Sequence, residues 1–214
     1  MSQNAARIEA RVLDEAEIAS AARALGTALH DDPFVGYVFP DSVERARRLQ
    51  EQFAALVRFS SLFGAVVVTE DMLGVSTWQP PGVHVTPERA DRSGYGQLPQ
   101  IMGDDAFERF GRALDYLSDV HSKGLPEAYW YLSMIGVAPE RCGCGIGRAL
   151  IEPVMSQADA AGLPICLETA QPTAATFFGR LGFRPIIETV DPASGVRFWT
   201  YQRDSAQPIV GPRF

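Results

Sequence analysis

Lysine is almost missing from this chain: Lys123 stands alone against eighteen arginines, and the acids outnumber the bases to leave a formal charge of −7. Such a balance carries no surplus of cations to neutralise phosphates, so no nucleic-acid partner and no anionic membrane surface is expected. Cysteine is scarce and odd in number. Cys142, Cys144 and Cys166 do not make a disulfide framework, and with His30, His84 and His121 so scattered they do not make a metal site either. A reducing, cytoplasmic setting fits that usage. The opening stretch "MSQNAARIEARVL" lacks the apolar core of a secretory signal, and no run approaches the roughly 18 apolar residues a membrane span requires. Repeats, low-complexity tracts and linker-like stretches are missing too. One domain over residues 6–204 is therefore expected, with loose tails at 1–5 and 205–214, working as a monomer or homodimer. The 214 residues suffice for one well-buried core.

What is present is a mixture of helix and strand signals. A strand is expected over Ile8 to Leu13. Asp14 and Glu17 then stand at capping-box spacing before Ile18, Ala22, Leu25 and Leu29, which recur at helical intervals. After the loop "DDPFVGYVFPD", Asp41 and Glu44 repeat the capping spacing ahead of a long helix carrying Leu49, Phe53, Leu56 and Phe63 on one face. "GAVVVT" and "LGVSTWQ" form a hairpin around "EDM", stopped by Pro80, Pro81 and Gly82. Between 83 and 128 only "DDAFERFGRALDYLSDVH" reads as helix, and the rest as loop. A strand over 129–137, a glycine loop, a helix to about 160, the strand "PICLET", a short helix "TAATFFGRLGF" and strands near 183–190 and 196–202 complete the chain. Early antiparallel hairpins followed by one β-loop-α-β unit give an α/β (α+β) fold class. Pro153, well inside the helix after the glycine loop, predicts a kink or irregular turn near Ala149 to Pro153.

The chemistry concentrates in "GVAPERCGCGIGRALI", residues 136–151, with glycines at 143, 145 and 147. A glycine loop opening a helix exposes backbone N–H groups, and the first helical amides are unpaired. The helix dipole adds about half a positive charge at that end, which makes the loop an anion site suited to phosphate or pyrophosphate. Arg141 and Arg148 flank it and offer charge-assisted contacts. A Walker loop is excluded because no lysine is near. A dinucleotide fingerprint needs G-x-G-x-x-G, whereas the spacing here is G-x-G-x-G; Glu168 would be its ribose-binding acid.

The stretch resembles the acetyl-CoA-binding motif of the GNAT (GCN5-related N-acetyltransferase) superfamily. Val137 and Pro139 match the V-x-P that ends the family's strand, and Gly145 and Gly147 match its pyrophosphate loop. "LPICLETA" is similar to the neighbouring strand, and Phe177 to Phe183 are similar to the family's "FYerlGF" segment. The likeness, strongest toward the puromycin N-acetyltransferase-like members, covers most of residues 9–203 and is tightest after 128.

The resemblance implies a mixed central β-sheet flanked by helices, with splayed strands forming an acyl-CoA cleft. It also implies transfer of an acetyl group from acetyl-CoA to the amine of a small molecule by direct attack. Ile135 and Val137 would hold the pantetheine arm through free amides, with a bulge at Gly136, and the Val137 N–H would stabilise the oxyanion. Cys142, Gly143, Cys144, Gly145, Ile146, Gly147 and Arg148 would carry the pyrophosphate, with Thr173 and Phe178 further along the cofactor. Glu168 is the candidate base, while Asp31 and Asp32 are candidates to face a cationic substrate. Two departures stand out. Cys142 and Cys144 replace long polar residues, which predicts weaker CoA affinity. Phe178 replaces the tyrosine that serves as general acid, a loss typically worth about 10² to 10⁴ in rate. Tyr131, Tyr129 and Tyr201 are the phenols available to substitute. A CoA-binding protein with little turnover is the other function these departures allow.

Overall fold

The computed structural model describes residues 8–206. The expected N-terminal tail and most of the C-terminal one lie outside that range. Seven strands form one sheet in the order β1-β2-β3-β4-β5-β7-β6. These are β1 Ala10–Val12, β2 Ala65–Thr69, β3 Gly74–Gln79, β4 Trp130–Val137, β5 Ile165–Thr169, β6 Arg184–Val190 and β7 Arg197–Arg203. All neighbours pair antiparallel except β4 and β5, which the intervening helix joins as a parallel crossover.

Alternation along β2 sorts the core into two layers. Val66 and Val68 face α1 (Ile18–Ala28) and α3 (Ser42–Phe63), whereas Val67 faces α7 (Ile146–Ala161) and α8 (Ala174–Arg180). The first capping box is complete: Asp14 accepts from the Ala16 N–H at 2.9 Å, and Glu17 accepts from the Asp14 N–H at 3.2 Å. They cap a short 3-10 turn that leads into α1. The second is half made, because Asp41 accepts from Glu44 N–H while the Glu44 side chain pairs with Arg48 instead.

Residues 83–128 hold more helix than their sequence predicts. Beside α6 (Asp104–His121) they form α4 (Pro87–Ser93) and α5 (Leu98–Met102). Both are short, with a proline at the first or second position, so their periodicity is too brief to read. Pro153 lies inside α7, which continues from Ile146 to Ala161 with no irregular turn between Ala149 and Pro153. Next to the missing bond, the buried Ser76 hydroxyl on β3 donates to the Leu150 carbonyl at 3.1 Å, supplying a donor from outside the helix.

Candidate active site

The parallel pairing of β4 with β5 stops early. Only Trp130, Tyr131 and Leu132 find partners on β5, so Ser133 to Val137 leave it and the sheet opens. On the other side β4 stays paired to β3, and the Ala138 N–H donates to the Leu73 carbonyl at 2.8 Å. Hydrogen-bonded positions alternate along an antiparallel pair, so the amides of Val137 and Ile135 turn toward the opening. The register slips by one residue opposite Thr77 and Trp78, where Met134 and Leu132 leave Ser133 unpaired. The bulge is thus at Ser133 rather than Gly136. Gly136 answers a different need: a Cβ there would stand 2.8 Å from the Ala28 Cβ, so its glycine lets α1 press onto the sheet.

The loop after β4 is exposed. Gly143 and Gly145 adopt φ of 81° and 90°, which glycine enters without steric cost. Gly147 serves packing instead, since a Cβ would meet the Phe177 ring at 2.9 Å. The amides of Gly143, Gly145, Ile146, Gly147 and Arg148 find no acceptor among the described residues, whereas the Cys144 N–H is spent on the Arg141 carbonyl at 3.3 Å. Free amides at a helix start are what an anion recognises, and this cradle fits a diphosphate.

The loop, the opening and the helices beyond share one cavity of about 960 Å³. It brings together nearly every residue singled out from the sequence: Tyr131, Ile135, Val137 and Glu168 from the strands, Cys142, Gly143, Gly145, Ile146, Gly147 and Arg148 from the loop, and Thr173 and Phe178 from the last short helix and its start. Cys144 alone among the loop positions does not line it. Asp32 lines the cavity but is committed to α2 (Pro33–Val38), whose Phe34 and Val35 amides it accepts at 2.9 and 3.3 Å. Asp31 points to solvent, with a side chain 93% exposed and paired to His30.

At the mouth of the opening the Tyr131 hydroxyl donates to Glu168 Oε1. His121, on the last turn of α6, brings Nε2 to 3.6 Å from Glu168 Oε2 and 3.3 Å from the Thr200 hydroxyl. Burial pushes the Glu168 carboxyl above the usual range, and the His121 ring and the Tyr131 hydrogen bond pull it partly back. Tyr131 is pushed well above its ordinary value, first by burial and then by the Glu168 charge, so it stays protonated. Glu168 also borders a second cavity of about 520 Å³, shared with His84, His121, Glu127 and Tyr129. Phe178 is buried against Phe183 and Tyr201, with ring centroids 5.5 and 5.9 Å away. Tyr201 lines neither cavity. No local signal marks His121 as a site residue, since its place beside Glu168 is set by tertiary packing alone.

Comparison with known proteins is decisive at this point. The acetyltransferase (GNAT) domain signature matches residues 108–185. An uncharacterised N-acetyltransferase of Schizosaccharomyces pombe is 30% identical over 186 residues, spanning 84% of this chain and 73% of that protein. The chain belongs to the GNAT acetyltransferases. As a GNAT protein it is an acyltransferase, of a family whose donor is acetyl-CoA. Its fold is shared with a Corynebacterium glutamicum structure described as histone acetyltransferase HPA2 and related acetyltransferase (TM-score 0.63, 19% identity, 95% of this chain and 99% of that one). It is shared also with arylalkylamine N-acetyltransferase 2 of Aedes aegypti (TM-score 0.61, 12% identity, 92% and 99%). Among the described residues no helix is long and apolar enough to cross a membrane.

Proposed function

We propose that this chain transfers the acetyl group of acetyl-CoA to the amine of a small molecule, with residues 6–204 acting as one catalytic domain. The supporting observation is that the free loop amides, the opening between β4 and β5, and the Tyr131–Glu168 pair all border a single cavity. The diphosphate lies on the amides of Gly143, Gly145, Ile146, Gly147 and Arg148, with the Arg141 and Arg148 side chains at the rim. Ile135 and Val137 hold the pantetheine arm as a missing strand would, and Thr173 and Phe178 border its path.

Glu168 takes a proton from the ammonium group. The neutral amine then attacks the thioester carbonyl, whose oxygen gains charge beside the Val137 N–H. The C–S bond breaks as the amide forms, and the proton the nitrogen sheds passes to the departing sulfur, so that CoA leaves as the thiol. Its raised affinity for protons suits Glu168 to this task, because a base works best with a pKa near the operating pH. Tyr131 holds the carboxylate in place and is the phenol nearest the reaction, since Phe178 has no proton to give.

Phe178 favours a second reading, in which the protein binds CoA or its esters with little turnover. The two separate cleanly. Both predict that acetyl-CoA raises the melting temperature, but only the first predicts CoA release when a panel of amines is added.

A further inference from the structure

The cavity extends past the sheet opening into a chamber between α2, α3 and α6, and its lining is sorted by chemistry. The arginines that border the cavity, Arg141, Arg148 and Arg180, all belong to the loop, α7 and α8. The chamber walls are aromatic and aliphatic. Phe34 stacks on Phe110 with centroids 6.0 Å apart and meets Phe198 edge-on at 5.6 Å, while Phe53, Leu114 and Leu117 close the sides. Asp32 is the carboxylate that the helices contribute; its Oδ1 accepts from the α2 amides, and Gln171 gives the carboxylate a further hydrogen bond.

Polar side chains interrupt this surface at a few points, among them Tyr95 and Gln52. Gln52 of α3 is 4% exposed and lines the cavity, yet its Oε1 is buried with no hydrogen-bond partner. No partner for its Nε2 is found among the described residues either. A buried amide left unpaired costs stability, and burial without a partner is the exception in folded proteins. Its neighbours on the same face, Phe53, Leu56 and Phe59, are apolar and line the same cavity. An amide held there, facing a cavity and paired with nothing, is suited to a ligand group.

Resting on the acetyltransferase reading, we propose that this chamber is the acceptor site and that Gln52 is its specificity residue. The substrate class is a monoamine on a flat apolar body that carries one hydrogen-bonding group. The amine reaches Glu168, the body lies among Phe34, Phe110 and Leu114, and the hydrogen-bonding group meets the Gln52 amide. A polyamine or amino sugar is rejected, because its further charges or hydroxyls would enter an apolar wall without partners. A site built to hydrogen-bond one group discriminates strongly against an analogue that lacks it.

The test uses tyramine, 2-phenylethylamine and spermidine as probes, first by calorimetry with CoA present and then by turnover. The wild type is expected to prefer tyramine to 2-phenylethylamine at least tenfold, and to ignore spermidine. Gln52→Leu should bring that preference to about one while leaving the KM for acetyl-CoA unchanged. Leu114→Trp, which narrows the chamber from α6 and leaves the Gln52 side chain unaltered, should weaken both aromatic amines at least tenfold. Equal binding of spermidine, or a preference that survives in Gln52→Leu, overturns the proposal. The binding arm is independent of catalysis: aromatic amines that bind without CoA release would uphold the chamber and refute turnover.

Discussion

The imidazole of His121 stands 3.6 Å from the carboxylate of Glu168, on the side opposite the Tyr131 hydroxyl that also holds it. Helix α6 supplies the one contact, β4 the other, and the carboxylate sits between two cavities. Tyr129, Cys166, His84 and Glu127 complete the titratable surroundings on that side. Burial raises the Cys166 thiol to about 12, so it remains neutral there.

The pH dependence of turnover follows from that arrangement. Glu168 must be ionised to take a proton, and burial holds its pKa above the ordinary value. Activity should therefore fall on acidification at a pH above the normal carboxylate range. Both Tyr131→Phe and His121→Gln remove a group that lowers this pKa, so both should move the acidic limb to higher pH. A limb that stays put in both variants assigns the base elsewhere.

Stability should report the same carboxyl with the opposite benefit. A carboxyl whose folded pKa is raised favours the fold while protonated, and that contribution is lost as pH rises through the folded value. Glu168→Gln should thus melt higher than the wild type at neutral pH, with the gain fading below the ordinary glutamate pKa. In the same variant acetylation should drop by about 10² or more. Equal melting temperatures across the whole pH range would show that the ionised carboxylate carries no burial penalty.

Phe178→Tyr returns a phenolic proton to the cavity wall. Turnover at saturating amine is expected to rise by about 10², the lower end of what a positioned acid contributes. The KM for acetyl-CoA should change little, because the ring already lines the cavity and keeps its packing on Phe183 and Tyr201. Unchanged turnover would mean that proton transfer to the departing sulfur is not limiting.

Gly145→Ala isolates the loop backbone. Its φ of 90° is outside the region that alanine prefers, and the nearest atom to an added Cβ, Ile8 Cδ1, is 3.7 Å away. The strain alone is about 1–2 kcal/mol. Weaker acetyl-CoA binding should appear with little loss of the remaining fold, measured as Kd against melting temperature. A Kd equal to the wild type's would remove this turn from the binding site.

The second half of the chain was legible because its signals are local. Proline, three glycines and an abrupt change from period two to helical spacing mark β4, the loop and α7 within one stretch of sequence. Gly147 stands out in the sequence as part of the glycine loop, but its packing on Phe177 does not, since that contact joins separate elements. Gly136 was misjudged for the same reason: Ala28 on α1, not a bulge, demands it. His121 and Gln52 left no mark in the sequence, being single polar residues on otherwise ordinary helices. Their importance arises only when α6 reaches β5 and α3 closes the chamber. Asp31 and Asp32 are adjacent, and only the folding of α2 sends one to solvent and ties the other to helix amides.

The account depends on a diphosphate resting on main-chain amides. Backbone NMR of the protein titrated with CoA tests this most directly. The amide resonances of Gly143, Gly145, Ile146, Gly147 and Arg148 should shift together and saturate at one stoichiometric equivalent, with Cys144 moving less because its N–H is already bonded. Saturation by CoA with those five resonances unmoved would contradict it.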